Sequence, residues 1–290
     1  LFITGGYHRY FAHRSYRLGR FAQFVMALGG CTAMQKGPLW WASHHRVHHK
    51  YSDTERDTHS PKKGVWWSHL GWILCYKYEA PLYDKIKDFV QYPELRFLDK
   101  FHLLPPMILA ITIWYFFGIS GLIVGFCVST VLLYHGTFAI NSLAHIFGSR
   151  RYATSDTSRN SMILALITCG EGWHNNHHHF QASVRQGFRW WEIDLTYYVL
   201  RFLSWLKIAK ELRLPKAKTL KHRLIADGCF DIGMFNAYYE KALRSINCVK
   251  NDAITIYEKK QAALAQFMDQ TKDLANELAN SAMEHEANNL

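Results

Sequence analysis

Histidines recur in this chain at spacings that could hold a metal. In His44-His45-Arg46-Val47-His48-His49, a helix would set His45, His48 and His49 at i, i+3 and i+4, with their rings on one face. The pattern returns as His174-Asn175-Asn176-His177-His178-His179, and a looser pair, His8 and His13, opens the chain. Neutral imidazole nitrogen ligates iron, zinc and copper, so a row of rings on one face is a candidate metal site. His8 and His13 are five apart, about 140° on an ideal α-helix, which favours a helix end or a kink there. Asn141-x3-His145 adds a polar pair at the end of an apolar run. His8, His13, His45, His48, His49, His145, His174, His177 and His178 outnumber the roughly four to six ligands that one ion takes. They suit two ions close together.

The other histidines carry less weight. A lone histidine is more often a hydrogen-bonded residue than a ligand, and His59, His69, His102, His135, His222 and His285 are read that way. His44 and His179 adjoin the two boxes and are candidates to support ligands from behind. Trp40, Trp41 and Phe138 read first as packing residues, with the lining of a substrate tunnel as the alternative. Glu171-x-x-His174 has the spacing of a di-iron carboxylate site, but such sites need two of these pairs and further glutamates. Neither a His-Glu-x-x-His zinc motif nor a glycine-rich dinucleotide fingerprint occurs.

Positioning these rings falls to helices, and the expected fold class is all-α. Aromatic residues make up 15% of the 290 residues, a content that suits a protein meeting the membrane interface. The net charge of +11 fits cytoplasmic lysine and arginine on a membrane protein, and no nucleic-acid motif accompanies it. The six cysteines form no Cys-x-x-Cys pair and read as reduced thiols. Leu1 to Gly6 reads as the tail of a membrane helix that has lost its start. Phe21 to Met34 is apolar but broken by Gly29-Gly30, and its rise of about 21 Å falls short of a hydrocarbon core of about 30 Å, which suggests an interfacial or re-entrant helix. Residues 101–118 and 121–143 are long enough to span a bilayer, and Gly118-Ile119-Ser120-Gly121 would join them as a hairpin. Such a hairpin delivers His145 to the side where the upstream histidines lie. Residues 188–206 are aromatic but interrupted by charge, so they read as an interfacial helix. Composition changes at Pro215. Residues 1–215 form the expected membrane domain, and 216–290 a polar helical extension with a broken apolar stripe.

The chain resembles the membrane-bound fatty acid desaturases of the Δ9, stearoyl-CoA type, in their bacterial and plant branch. The matching text is Gly6-Tyr7-His8-Arg9-x3-His13-Arg14, His45-Arg46-Val47-His48-His49, Asp57-x-His59-Ser60, Trp67-Ser68-His69-x-Gly71-Trp72, Asn141-Ser142-x-Ala144-His145, Gly170-Glu171-Gly172-x-His174-Asn175-x-His177-His178 and Trp191-Glu192-Ile193-Asp194-Leu195-Thr196. The resemblance covers residues 1–215. It implies a four-span membrane domain, two spans of which precede His8, under a cytosolic histidine-rich cap holding two iron ions. In a bacterial source the cap would lie on the cytoplasmic side of the inner membrane. It implies His8, His13, His45, His48, His49, His145, His174, His177 and His178 as ligands, with Asn141 acting through a water. The implied reaction takes O2 and two electrons and removes two hydrogens at C9 and C10 of a saturated acyl chain, on CoA or on a membrane lipid. The electrons would come from NAD(P)H through a reductase and a separate carrier, since no His-Pro-Gly-Gly cytochrome b5 motif is fused here. Animal acyl-CoA enzymes of this family carry Arg-Asp where this chain has Ser43-His44, which keeps an acyl-lipid substrate open. A membrane hydroxylase sharing the boxes and a histidine-rich metal store are the alternatives.

Overall fold

The computed structural model describes residues 1–225 and 235–287. It is mostly helical. Contacts divide it into two units, Leu1–Ala237 and Tyr238–Leu290.

The first unit begins with α1, Phe2–Ala12, a π-type helix. Its amides reach five residues back: Gly6 N donates to Leu1 O, and His13 N donates to His8 O at 3.2 Å. The wider turn changes the face that each residue presents, and π-turns are common at functional sites. α2 (Arg20–Cys31) packs against α1. The sequence suggested that Gly29-Gly30 interrupts this segment, but the helix runs through both residues. Their lack of a side chain lets α1 approach: a Cβ on Gly30 would lie 2.1 Å from the Tyr7 ring, and one on Gly29 would lie 2.4 Å from Phe2.

α3 (Pro38–Tyr51) carries the second histidine box. Pro38 suits its first turn, where a missing N–H costs nothing. The amides of Leu39 and Trp40 donate to one carboxylate oxygen of Asp99, at 3.0 and 2.9 Å. Asp99 belongs to α4 (Pro93–Lys100), so a neighbouring helix caps α3. A Cβ on Gly37 would lie 2.4 Å from the Asp99 Cα, so glycine is required at this crossing. From the middle of α3, Arg46 donates to the carbonyls of Phe11 and Ala12 and pairs with Asp88. It thereby satisfies the free C-terminal carbonyls of α1. Tyr7, Phe11, Leu39, Phe89, Leu95 and Leu200 fill the core between these helices. Each contributes on the order of 1.5–3 kcal/mol by burial.

α5 (Leu104–Gly121), a π-type turn at Leu122–Val128 and α6 (Ser129–Asn141) follow. Leu104–His145 is the one stretch among the described residues long and apolar enough to cross a membrane. It is not a straight rod. Gly118 leaves the helical region with φ 65° and ψ −163°. A Cβ on Gly125 would sit 3.6 Å from Ile113, whereas twelve residues of straight helix span about 18 Å. The chain therefore folds back at the Gly118–Gly121 turn, with apolar side chains such as Met107, Phe116 and Leu132 exposed.

α7 (His174–His179) carries the third box, and α8 (Leu195–Trp205) packs on α1. A short antiparallel pair, β1 (Arg17–Leu18) with β2 (Ala209–Lys210), ties the end of this unit to its start. Contacts continue past Pro215: Thr219 O meets the ring of His179, and Ile225 N donates to Arg151 O. The second unit consists of most of α9, Phe235–Ala287. Ile256, Leu264 and Phe267 of its apolar stripe are exposed.

Candidate metal centre

Three local geometries deliver the histidines. The π-turn of α1 brings His8 and His13 together, with ring centroids 4.8 Å apart, although five residues would separate them on an α-helix. α3 presents His45, His48 and His49. α7 presents His174, His177 and His178, and His145 arrives on a single 3-10 turn after α6. The two asparagines inside the third box anchor α7. Asn175 Oδ1 accepts from the amides of Arg151 and Tyr152, and Asn176 Nδ2 donates to Gln186 O and Glu192.

The rings converge into two groups. His8, His13, His45, His49 and His177 form one, and His48, His145, His174 and His178 form the other, with candidate donor atoms in each within 4.8 Å of one another. Within the first, Nε2 atoms face Nε2 atoms: His8–His177 at 3.0 Å, His177–His49 at 2.9 Å, His49–His45 at 3.0 Å and His45–His13 at 2.9 Å. In the second, His145 and His174 approach at 3.1 Å. Two nitrogens that bind one ion at about 2.1 Å, a right angle apart, are about 3.0 Å from each other. Ring nitrogens that all face one another match the edges of a coordination shell better than a chain of hydrogen bonds. The groups are neighbours because His48 and His49 divide between them, as do His177 and His178.

Burial sets the charge state of most of these rings, whereas for His48 it is outweighed by Asp57, with Asp53 and Asp156, which raise that ring above the ordinary imidazole value. Burial depresses His13, His45, His49, His174 and His177 well below the ordinary imidazole pKa, and neighbouring rings push further the same way. His178 falls to about 4, by burial and against the pull of Asp156. Neutral rings are the form that binds metal.

Carboxylates stand behind these rings. His48 Nδ1 donates to Asp57 at 2.9 Å, His178 Nδ1 donates to Asp156 at 2.8 Å, and Asp53 lies 3.4 Å from His145 Nδ1. Behind the other group, Glu171 lies 2.5 Å from His8 Nδ1 and also pairs with the fully buried Arg9, which reaches Asp194 as well. Burial alone would raise each of these acids. For Glu171, His8 and Arg9 outweigh it and hold the carboxyl at about 2; for Asp53, His145 holds it at about 2. Asp57 is held well below the usual carboxylate range by His48 and Asp156 by His178, again against burial.

His59, read from sequence as an ordinary residue, is buried and stacks on His48 with centroids 4.1 Å apart. His48, Asp57 and His59 form a third close group. His44 and His179 turn elsewhere. His44 contacts Ala80 O and Trp72, and His179 stacks on Tyr152 at 3.8 Å. His69 pairs with His135 at 3.0 Å and with Ser142, His102 contacts Asp99 O, and His222 lies near His179. The His285 side chain lies outside the described residues.

A cavity of about 670 Å³ is lined by His8, His45 and Glu171, by Trp41, and by Leu109 and Leu133 of the hairpin, among others. Asn141 also lines it. Of the aromatic residues named from sequence, Trp41 borders this space. Trp40 instead stacks on Trp72 and donates its indole N–H to Tyr78 O, and Phe138 packs on His69 and Tyr134.

Nine imidazoles thus form two adjoining groups, and the group of five borders an apolar cavity through His8 and His45. The fatty acid desaturase family model matches residues 1–204. The chain belongs to the fatty acid desaturase family. It is 39% identical over 220 residues to the sn-1 stearoyl-lipid 9-desaturase of Anabaena variabilis, covering 74% of this chain and 80% of that one. It is 39% identical over 216 residues to Delta-9 acyl-lipid desaturase 1 of Arabidopsis thaliana, covering 73% and 71%. It is 38% identical over 215 residues to an acyl-CoA 5-desaturase of Anemone leveillei, covering 73% and 67%. Across the relatives the matched stretch spans between 61% and 80% of their length. Membership makes the protein an oxidoreductase of lipid metabolism, and its histidine groups fit a metal site of that family.

Five supporting residues escaped sequence reasoning: Asp53, Asp57, Asp156, Arg9 and Glu171 in its role behind His8. Arg9, Asp57 and Glu171 lie within the matching motifs, but the sequence gives no sign of which ring each stands behind. Asp156 reaches a ring 22 residues away, which no local pattern reveals.

Proposed function

We propose that the protein introduces a cis double bond into a saturated fatty acyl chain, at Δ9, using O2. The observation that carries this reading is a pair of adjoining imidazole groups, the first of which lines an apolar cavity through His8 and His45. His8, His13, His45, His49 and His177 would hold one iron ion, and His48, His145, His174 and His178 the other, with Asn141 acting through a water. When bound, the pair of ions would supply O2 activation strong enough to break an unactivated methylene C–H bond. The polypeptide does the rest. Trp41, Leu109 and Leu133 would hold the chain extended and exclude water, while Glu171 and the aspartates keep the rings in one orientation. Overall, one O2, two electrons and two protons combine with the two hydrogens removed to give two waters. The electrons would come from NAD(P)H by way of a reductase and a separate carrier protein.

Relatives that act on acyl-lipid and on acyl-CoA support either carrier for the acyl group. In the arrangement proposed here, residues 1–215 form the catalytic domain, the hairpin over 104–141 lies in the bilayer within a four-span domain, and the histidines stand on the cytoplasmic side. The full-length protein, expressed with iron in a desaturase-deficient host that has a working electron donor, should restore monounsaturated C16 or C18 chains. Acyl chains unchanged in mass under those conditions would reject the reading. A gain of one oxygen in place of a loss of two hydrogens would move it to a hydroxylase.

A further inference from the structure

The two histidine groups differ in what stands behind them. In the group of four, three rings back onto aspartates: His48 onto Asp57, His178 onto Asp156 and His145 beside Asp53. These aspartates are themselves fixed. Asp57 accepts from the amides of Asp53 and His59, Asp156 accepts from Ser158 N, and Asp53 accepts from Thr157. Asp53 has a φ of 60°, a left-handed turn immediately after α3 that aspartate tolerates better than most residues. In the group of five, one ring, His8, backs onto a carboxylate, and Arg9 and Gln186 share that Glu171. One ring in each group, His49 in the five and His174 in the four, has its Nδ1 buried without a protein partner.

A carboxylate behind an imidazole raises its basicity and locks its tautomer, and its loss typically costs about 10–100-fold in metal affinity. The extra negative charge also favours a divalent ion. The fifth ring favours the other group, but only one of its five rings, His8, has such a carboxylate behind it. We infer that the two ion positions are unequal. Asp57 and Asp156, with Asp53, are positioning residues of the four-histidine position alone and make it the tighter of the two. This rests on the two-ion reading above.

The test is a titration of the metal-free, full-length protein in detergent with Co2+, followed by its visible absorption and by bound-metal analysis. Two steps separated by at least about tenfold in affinity are expected. Asp57→Asn or Asp156→Asn should weaken the tighter step by about 10–100-fold and leave the looser one in place. His178→Ala should remove the tighter step and His13→Ala the looser, an assignment that holds even if an aspartate variant fails to fold. Two steps of equal affinity would overturn the inference. So would loss of the tighter step in His13→Ala, or an unchanged tighter step in a folded aspartate variant. Failure to bind stoichiometric Co2+ at all would instead remove the two-ion reading.

Discussion

A single imidazole in this centre has little freedom to act alone. His177 Nε2 lies 3.0 Å from that of His8 and 2.9 Å from that of His49, so deleting it opens two edges of one shell. Losing a residue behind a ligand already costs about 10–100-fold in metal affinity or activity, and losing a ligand should cost more. His177→Ala is therefore expected to lose at least about 100-fold in desaturation, with bound iron falling from two equivalents towards one by elemental analysis. Full iron content with normal activity would show that His177 is not a ligand. The sequence made the nine rings visible because their spacing is local. The aspartates behind them were not visible, because a partner 22 residues away leaves no period to read.

Among the helices, α3 carries the most consequence, and its start depends on Asp99 of α4. Burial pushes this carboxyl up to about 6, against the two amides of Leu39 and Trp40 that favour its charged form. A carboxyl with a raised folded pKa contributes stability that is full below its unfolded value, near 3.8, and is lost as pH rises through about 6. The change amounts to roughly 3 kcal/mol, at about 1.4 kcal/mol per pKa unit. Asp99→Asn keeps an oxygen for the two amides and does not titrate. The thermal midpoint of the wild type, relative to Asp99→Asn, should therefore fall between pH 4 and pH 7. A pH-independent difference would show that the charge carries no such cost. At this scale the apolar periodicity disclosed the helices but misjudged one detail. Gly29-Gly30 looked like a break and is a packing surface, because only the partner helix reveals what a glycine makes room for. The five-residue spacing of His8 and His13 favoured a helix end or a kink, and His13 does stand at the end of α1, whose π-turn brings the two rings together.

Over the whole chain, every proposed ligand lies between His8 and His178, inside the unit that ends at Ala237. A protein ending at residue 237 should therefore keep its full iron content and its desaturation in the host assay, to within about twofold. Loss of iron on truncation would assign the long helix a part in the centre. The exposed hairpin keeps this shortened protein dependent on detergent or lipid. The sequence by itself determined the helical class, the apolar run, the histidine boxes and the family, because those properties reside in residue type and short-range spacing. Only the tertiary structure decided how nine rings divide into five and four, that Trp41 borders the cavity while Trp40 and Phe138 do not, and that aspartates crowd behind one group. Those outcomes depend on contacts between residues up to 169 positions apart, set by how helices pack and which buried polar groups must find partners.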